Sequence, residues 1–366
     1  QIYQEKEDFM IEQCYLDLLK NMMLCRPVSQ DIEAVNNAQD VLKKFLDERN
    51  IYNVCENING RKTLFASTVP TRTPDYLFNA HIDVVPAISE DQYTLKIEND
   101  RLYGRGTGDD LLNAVLLVKL LCEPQKKGIS AGAIFTADEE IGGSTTAGMV
   151  ALGYSAKKCV VVMDSWGGGY LTIAQKGILT LKVTARGVSG HSSVPWTKEN
   201  CIEKLFEAYA RLKAQWVQPT AENQWGDSLA LCQVHAGCTH NQIPATAEMV
   251  LNIRYTDAAN LQKIIDKVAD ITGLEVEVTG NSLPASSDES NEHLQRLADL
   301  ISEHRRLDKK FRRMNAATDA RHFCNTGIPV AITGTATNGA HSANEYAELS
   351  GIEPTMQILK RFVSEK

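Results

Sequence analysis

Carboxylates and histidines recur in four short segments of this 366-residue chain, each beside glycines or at the end of an apolar run. The first is Asn79-Ala-His81-Ile-Asp83. Side chains two apart on a strand share a face, so Asp83 can hydrogen-bond the His81 ring and fix its tautomer for metal binding. The second, Gly104-Arg-Gly-Thr-Gly-Asp109-Asp110, runs into an apolar helix, where paired carboxylates suit a cation or simply cap the helix and favour the positive end of its dipole. The third, Thr136-Ala-Asp138-Glu139-Glu140, follows an apolar strand. Three carboxylates there repel one another unless a cation neutralises them, and that edge of an open α/β sheet is where ligands sit. Asp164 ends the next apolar run in the same position. The fourth is a glycine-bearing loop, Thr335 to Tyr346, which presents His341. Together, two histidines and at least three carboxylates supply the imidazole and hard-oxygen ligands that a pair of zinc ions requires.

The elements that must position these segments follow from periodicity. Residues 8–24 and 31–48 read as amphipathic helices. Thr63–Thr68, Tyr76–Val85, Ala131–Ala137 and Cys159–Met163 read as strands, with Leu111–Cys122 an apolar helix between two of them, so a mixed or parallel sheet covered by helices is expected. From Ile178 the rhythm becomes strand Ile178–Ala185, helix Lys198–Trp216, strands Leu229–His235 and Ala247–Tyr255, helix Ala258–Ile271 and strand Glu275–Thr279. That β-α-β-β-α-β order predicts a ferredoxin-like sandwich. Hinges are expected at Gly167–Gly169 and Ser282–Ser290, after which helix Asn291–Arg305, strand Pro329–Ile332 and helix Pro354–Ser364 resume the first style. The fold class is α/β: a mixed-sheet domain of residues 1–174 and 286–366, interrupted by an α+β insertion at 175–285. The stripe Ile202, Phe206, Tyr209, Leu212 and Trp216 is expected to be core of the insertion.

The ordered set HxD, GRGxxDD, DEEIGG, a strand-end Asp, a GHSS loop and a late His followed by NEY resembles the dinuclear-zinc exopeptidase and deacylase family, which includes aminoacylases, glutamate carboxypeptidases and desuccinylases. The resemblance covers the chain from about residue 55 to its end. It implies that Asp109 bridges two zinc ions, for which Co2+ or Mn2+ could substitute, that His81 and Asp164 complete one, and that Glu140 and His341 complete the other. It also implies that Glu139 is the general base and Asp83 the partner of His81. His191, in Gly190-His191-Ser192-Ser193, would stabilise the oxyanion from across a dimer formed by the inserted lid. Asn241, Arg254 and Arg321 would hold the substrate, whose free carboxylate suits the planar fork of arginine. Where the family usually has Asp-Lys-Gly after its metal aspartate, Asp110 is followed here by Leu111 and Leu112. The implied activity is hydrolysis of the amide of an N-acyl amino acid or short peptide. Two rivals are a catalytically silent metal-binding homologue and a nucleotide-dependent enzyme built on the glycines at 104–108, although those lack phosphate-loop spacing.

Composition narrows the partners. With 43% hydrophobic and 23% charged residues the chain is globular rather than disordered. Its 38 basic against 46 acidic residues give a net charge of −8, which argues against nucleic acid or an anionic membrane as partner. Nine dispersed cysteines without a CxxC pair read as free thiols of a reducing compartment. With no apolar run of membrane-spanning length and a polar, acidic start, a cytoplasmic protein is expected.

Overall fold

The computed structural model describes residues 11–123, 129–165 and 170–364. The expected hinge at 167–169 and the first residues of the expected helix 8–24 lie outside them.

The chain divides into two compact units. One comprises the residues up to Ala174 with Ser286–Arg312 and those from Thr318 onward; the other is Gln175–Ala285 with Arg313–Ala317. The sequence pattern assigned Arg313–Ala317 to the first domain. The structure ties that segment to the second unit through hydrogen bonds from Lys176 N to Met314 O (3.2 Å) and from Asn315 Nδ2 to Gln224 Oε1 (2.9 Å).

In the first unit a mixed sheet runs, in spatial order, Tyr52–Ile58, Arg61–Ser67, Ala131–Thr136, Tyr76–His81, Cys159–Val162, Val330–Ile332 and Leu171–Gln175. The four strands from Ala131–Thr136 to Val330–Ile332 are mutually parallel. Buried on both faces, they are continuous apolar runs rather than alternating ones. Their register sets His81 opposite Thr136 and Asn79 opposite Val162, so their carboxyl ends share one edge. Helix Leu111–Cys122 is apolar almost all round and packs on Tyr76–His81 beneath helices Gln13–Leu24 and Ile352–Ser364, which explains why even Lys119 is buried, paired with Glu12. Asp31 caps helix Ile32–Asp47, accepting the Ala34 N–H at 3.0 Å. A small antiparallel sheet, Thr337–Asn338, Tyr346–Glu348, Arg101–Tyr103 and Lys96–Glu98, completes the unit. Among the described residues no helix is long and apolar enough to cross a membrane.

The second unit is an antiparallel sheet ordered Ser228–Ala236, Thr246–Tyr255, Gly177–Arg186, Glu275–Ser282, with helices Cys201–Gln215 and Leu261–Thr272 joined to it by a separate apolar core. Inward and outward residues alternate along Thr246–Tyr255. This is the expected ferredoxin-like arrangement. One residue of the expected core stripe departs from it: Phe206 is 55% exposed.

Candidate metal centre

Two of the four segments, and Asp164, lie where the parallel strands end. His81 is the last residue of its strand, Asp138-Glu139-Glu140 follow Ala131–Thr136, and Asp164 follows Cys159–Val162. The shared register therefore delivers them to one edge with no side chain needing an unusual reach. The remaining two loops come from the small sheet, whose strands Arg101–Tyr103 and Tyr346–Glu348 pair Tyr103 with Tyr346. One loop carries Asp109 and the other His341, the latter at a positive φ of 64°.

Asp109 lies between the two histidines. Its Oδ1 is 2.8 Å from His81 Nε2 and its Oδ2 is 3.2 Å from His341 Nε2, so each carboxylate oxygen faces a different ring. His341 Nε2 also lies 2.8 Å from Glu140 Oε1. Ligand atoms of His81, Asp109 and Glu140 fall within 4.8 Å of one another, as do those of His81, Glu139 and Asp164. His81 Nδ1 is turned the other way, 2.9 Å from the Asp83 carbonyl and 3.5 Å from its Oδ1. That orientation keeps Nε2 for the cluster. Asp83, fully buried, accepts the N–H groups of Glu139 (3.1 Å) and Glu140 (3.3 Å) and the Ser29 hydroxyl (2.7 Å), so it anchors two loops as well as the ring.

The cluster is electrostatically frustrated without a cation. Burial pushes the carboxyls of Asp164 and Asp110 well above their ordinary values, and burial with the neighbouring Asp319 raises Glu139 to about 8. Burial also works against charge on Asp109 and His81. The hydrogen bonds of Asp109 to the two rings nevertheless hold its carboxyl low, and Asp109 and Asp83 hold the His81 ring well above its usual value. His341, hydrogen-bonded to Asp109 and Glu140, is raised to about 10. Imidazole nitrogens facing several buried carboxylates are a donor set that divalent cations fit, because cations would replace the protons now shared among them.

The structure revises several expectations. Of the three consecutive acids only Glu139 and Glu140 turn to the cluster; Asp138 turns inward and accepts the Thr145 N–H at 2.9 Å. Asp110 does not cap its helix. It accepts the His81 N–H (3.2 Å) and the Asn113 side-chain amide (2.6 Å) instead. Arg321, expected to hold a substrate carboxylate, is buried with Nη1 3.3 Å from Glu139 Oε1. The glycine loop at 104–108 cannot serve as a phosphate cradle as it stands, because Glu345 Oε1 already accepts the N–H groups of Gly106, Gly108 and Asp109 at 2.8, 2.9 and 3.2 Å.

In the second unit, His191 and Asn241 share a short ribbon, Gly190–His191 paired with Gln242–Ile243, and both are exposed. Arg254 does not join them. It lies near the far end of Thr246–Tyr255, eight residues or about 26 Å along the strand from Thr246.

Sequence reasoning passed over Asn113 and the partnership of Arg105 with Glu345. Asn113 Nδ2 donates to Asp110 and to Met163 O (2.8 Å), while its Oδ1 accepts the Thr335 N–H (3.1 Å) and hydroxyl (2.8 Å). An amide at the start of a helix whose one other polar residue is Lys119 was the available signal.

Over 363 aligned residues the chain is 27% identical to a probable succinyl-diaminopimelate desuccinylase of Staphylococcus aureus (strain MRSA252), covering 86% of this chain and 89% of that one. Its fold matches a tripeptidase crystal structure from Staphylococcus aureus with a TM-score of 0.75 at 16% identity, covering 97% and 98% of the two chains. It also matches a dinuclear metal-binding peptidase from Bacillus subtilis with a TM-score of 0.67 at 14% identity, covering 95% and 97%. Residues 77–365 match the profile of peptidase family M20/M25/M40. The strand-end carboxylates, the two facing histidines and this match over most of the chain lead to one conclusion: the chain belongs to peptidase family M20/M25/M40, a family of metal-dependent hydrolases of amide bonds.

Proposed function

We propose that the protein hydrolyses the amide bond of N-acyl amino acids or short peptides with two zinc ions, one held by His81 and Asp164, the other by Glu140 and His341, and both by Asp109. The observation that carries this reading is Asp109, whose two oxygens face one histidine ring each. When bound, such a pair of ions polarises the scissile carbonyl and acidifies the attacking water.

The chain's own residues supply the rest. Glu139, raised to about 8 by burial and Asp319, is suited to take a proton from the attacking water and return it to the leaving nitrogen. Arg321 Nη1 restrains the Glu139 carboxylate from behind, so the substrate's carboxylate falls to Arg254. His191 Nδ1 accepts the Ser193 N–H at 3.2 Å, which in the neutral ring puts the proton on Nε2, ready to donate to an oxyanion. His191 follows the Arg186 end of strand Gly177–Arg186, whereas Arg254 pairs with Ile178 at the other end. That placement supports a homodimer in which the two come from different copies. The nine cysteines, none in a disulfide, support a reducing, cytoplasmic setting.

The test is elemental analysis of the purified protein followed by a panel of N-succinyl, N-acetyl and other N-acyl amino acids and dipeptides. Two zinc ions per chain and turnover abolished by chelation and restored by zinc are expected. Turnover that survives complete metal removal overturns the proposal. Sedimentation that gives a fully active monomer removes His191 from the mechanism.

A further inference from the structure

We propose that Glu345 is a positioning residue: it clasps the Asp109 loop to the His341 loop and so sets the spacing at which Asp109 and His341 can share an ion. The inference rests on the two-ion reading above and goes beyond it, since Glu345 is not among the five residues assigned to the ions.

Glu345 is 1% exposed. Its Oε1 receives three consecutive-loop N–H groups, from Gly106, Gly108 and Asp109 itself, and its Oε2 is paired with the buried guanidinium of Arg105. A carboxylate that accepts several amide N–H groups and a guanidinium at once is held in one orientation, because each bond restricts a different rotation. What it holds is the backbone nitrogen of the bridging aspartate. At the other end, Glu345 is only four residues from His341, in the same hairpin loop, immediately before strand Tyr346–Glu348. A second strut spans the same two loops: Arg105 N donates to Gln92 O (2.7 Å), and Gln92 Nε2 donates to Ser342 O (2.9 Å). Gly108 leaves just enough room, since a Cβ there would sit 3.1 Å from Glu345 Cγ and 3.4 Å from Oε1.

The clasp acts unequally on the two ions. His81 and Asp164 are fixed by parallel strand ends that Glu345 does not touch, whereas His341 depends on the clasped hairpin. Loss of the carboxylate should therefore weaken the His341 side most, with Asp109, common to both, passing a smaller effect to the other.

The experiment is zinc titration of the metal-free full-length protein by competition calorimetry, with melting temperatures of the metal-free forms alongside. Wild type should take up two ions. Glu345→Gln, which retains an oxygen for the N–H groups but loses the charge opposite Arg105, should weaken the second binding step at least tenfold and the first by less. Two unchanged steps in E345Q overturn the proposal, and so do two steps weakened equally alongside a lower melting temperature, which is the signature of a merely structural role. If E345Q does not fold, Gly108→Ala carries the test, because it crowds the carboxylate without removing a charge. A few-fold loss confined to the second step is then expected, and unchanged steps overturn the proposal. Wild type binding fewer than two ions removes the two-ion reading itself, an outcome visible before any variant is made.

Discussion

Single residues at this centre do two kinds of work, and substitutions should separate them. The Glu139 side chain has one charged neighbour, Arg321 Nη1 at 3.3 Å, for which a glutamine keeps an oxygen, so Glu139→Gln should lower kcat by about 10^2- to 10^4-fold while metal content stays that of wild type; steady-state kinetics with elemental analysis checks both. Asp83 is the opposite case, because its oxygens accept two N–H groups and a hydroxyl while orienting His81. Asp83→Asn places an amide donor against those donors. It should cost about 10- to 100-fold in metal affinity, read by titration with a competing chelator. The assignment of Asp109 over Asp110 belongs to this scale too. The two are adjacent in sequence and chemically identical, and only the fold shows one facing the rings and the other facing the His81 N–H.

At the scale of elements, the strand ends must be held in register for the site to exist. Asn113 ties helix Leu111–Cys122 to Met163 and Thr335, so Asn113→Ala, which strands several buried partners, should destabilise the fold by about 2–4 kcal/mol in denaturant unfolding. At the opposite ends of the strands, Asp75 accepts the Ser130 N–H (2.9 Å) and hydroxyl (3.0 Å). Burial opposes its charge, but these bonds hold its carboxyl below the usual value. A carboxyl lowered in the folded state stabilises above its unfolded value and loses that contribution as pH falls through the folded one. Ser130→Ala should therefore cost about 1–3 kcal/mol at pH 7, and its deficit should shrink below about pH 4, measured by unfolding at both pH values.

For the whole molecule, two separate apolar cores predict that unfolding is not a single step. In scanning calorimetry zinc should raise one transition, that of the unit carrying the cluster, by the equivalent of about 2.7 kcal/mol at a hundredfold excess over Kd, and leave the other in place. A joint shift of both transitions would contradict this. The densest basic run, Arg305 to Arg313, combines exposed charge with internal contacts: Arg305 donates to Gly334 O, Lys309 pairs with Asp299, and Arg312 stacks on Tyr170.

The sequence alone determined the apolar parallel strands, the buried helix, the β-α-β-β-α-β insertion and the residue types of the cluster. Those follow from periodicity and local chemistry, which act over a few residues. It left edge strand Tyr52–Ile58 unseen, because its half-exposed polar pattern resembles a loop. It also missed the short strands of the small sheet, two hairpins that are joined into one sheet only by the pairing of Arg101–Tyr103 with Tyr346–Glu348, more than two hundred residues away. Only the tertiary structure decided which of Asp109 and Asp110 faces the rings, that Asp138 turns inward, that Arg321 backs Glu139, and that Glu345 occupies the amide cradle of the glycine loop. Each depends on where a side chain points once the chain has folded, and a carboxylate's direction is set by which donors surround it there, near in sequence for Asp138 and more than two hundred residues away for Glu345.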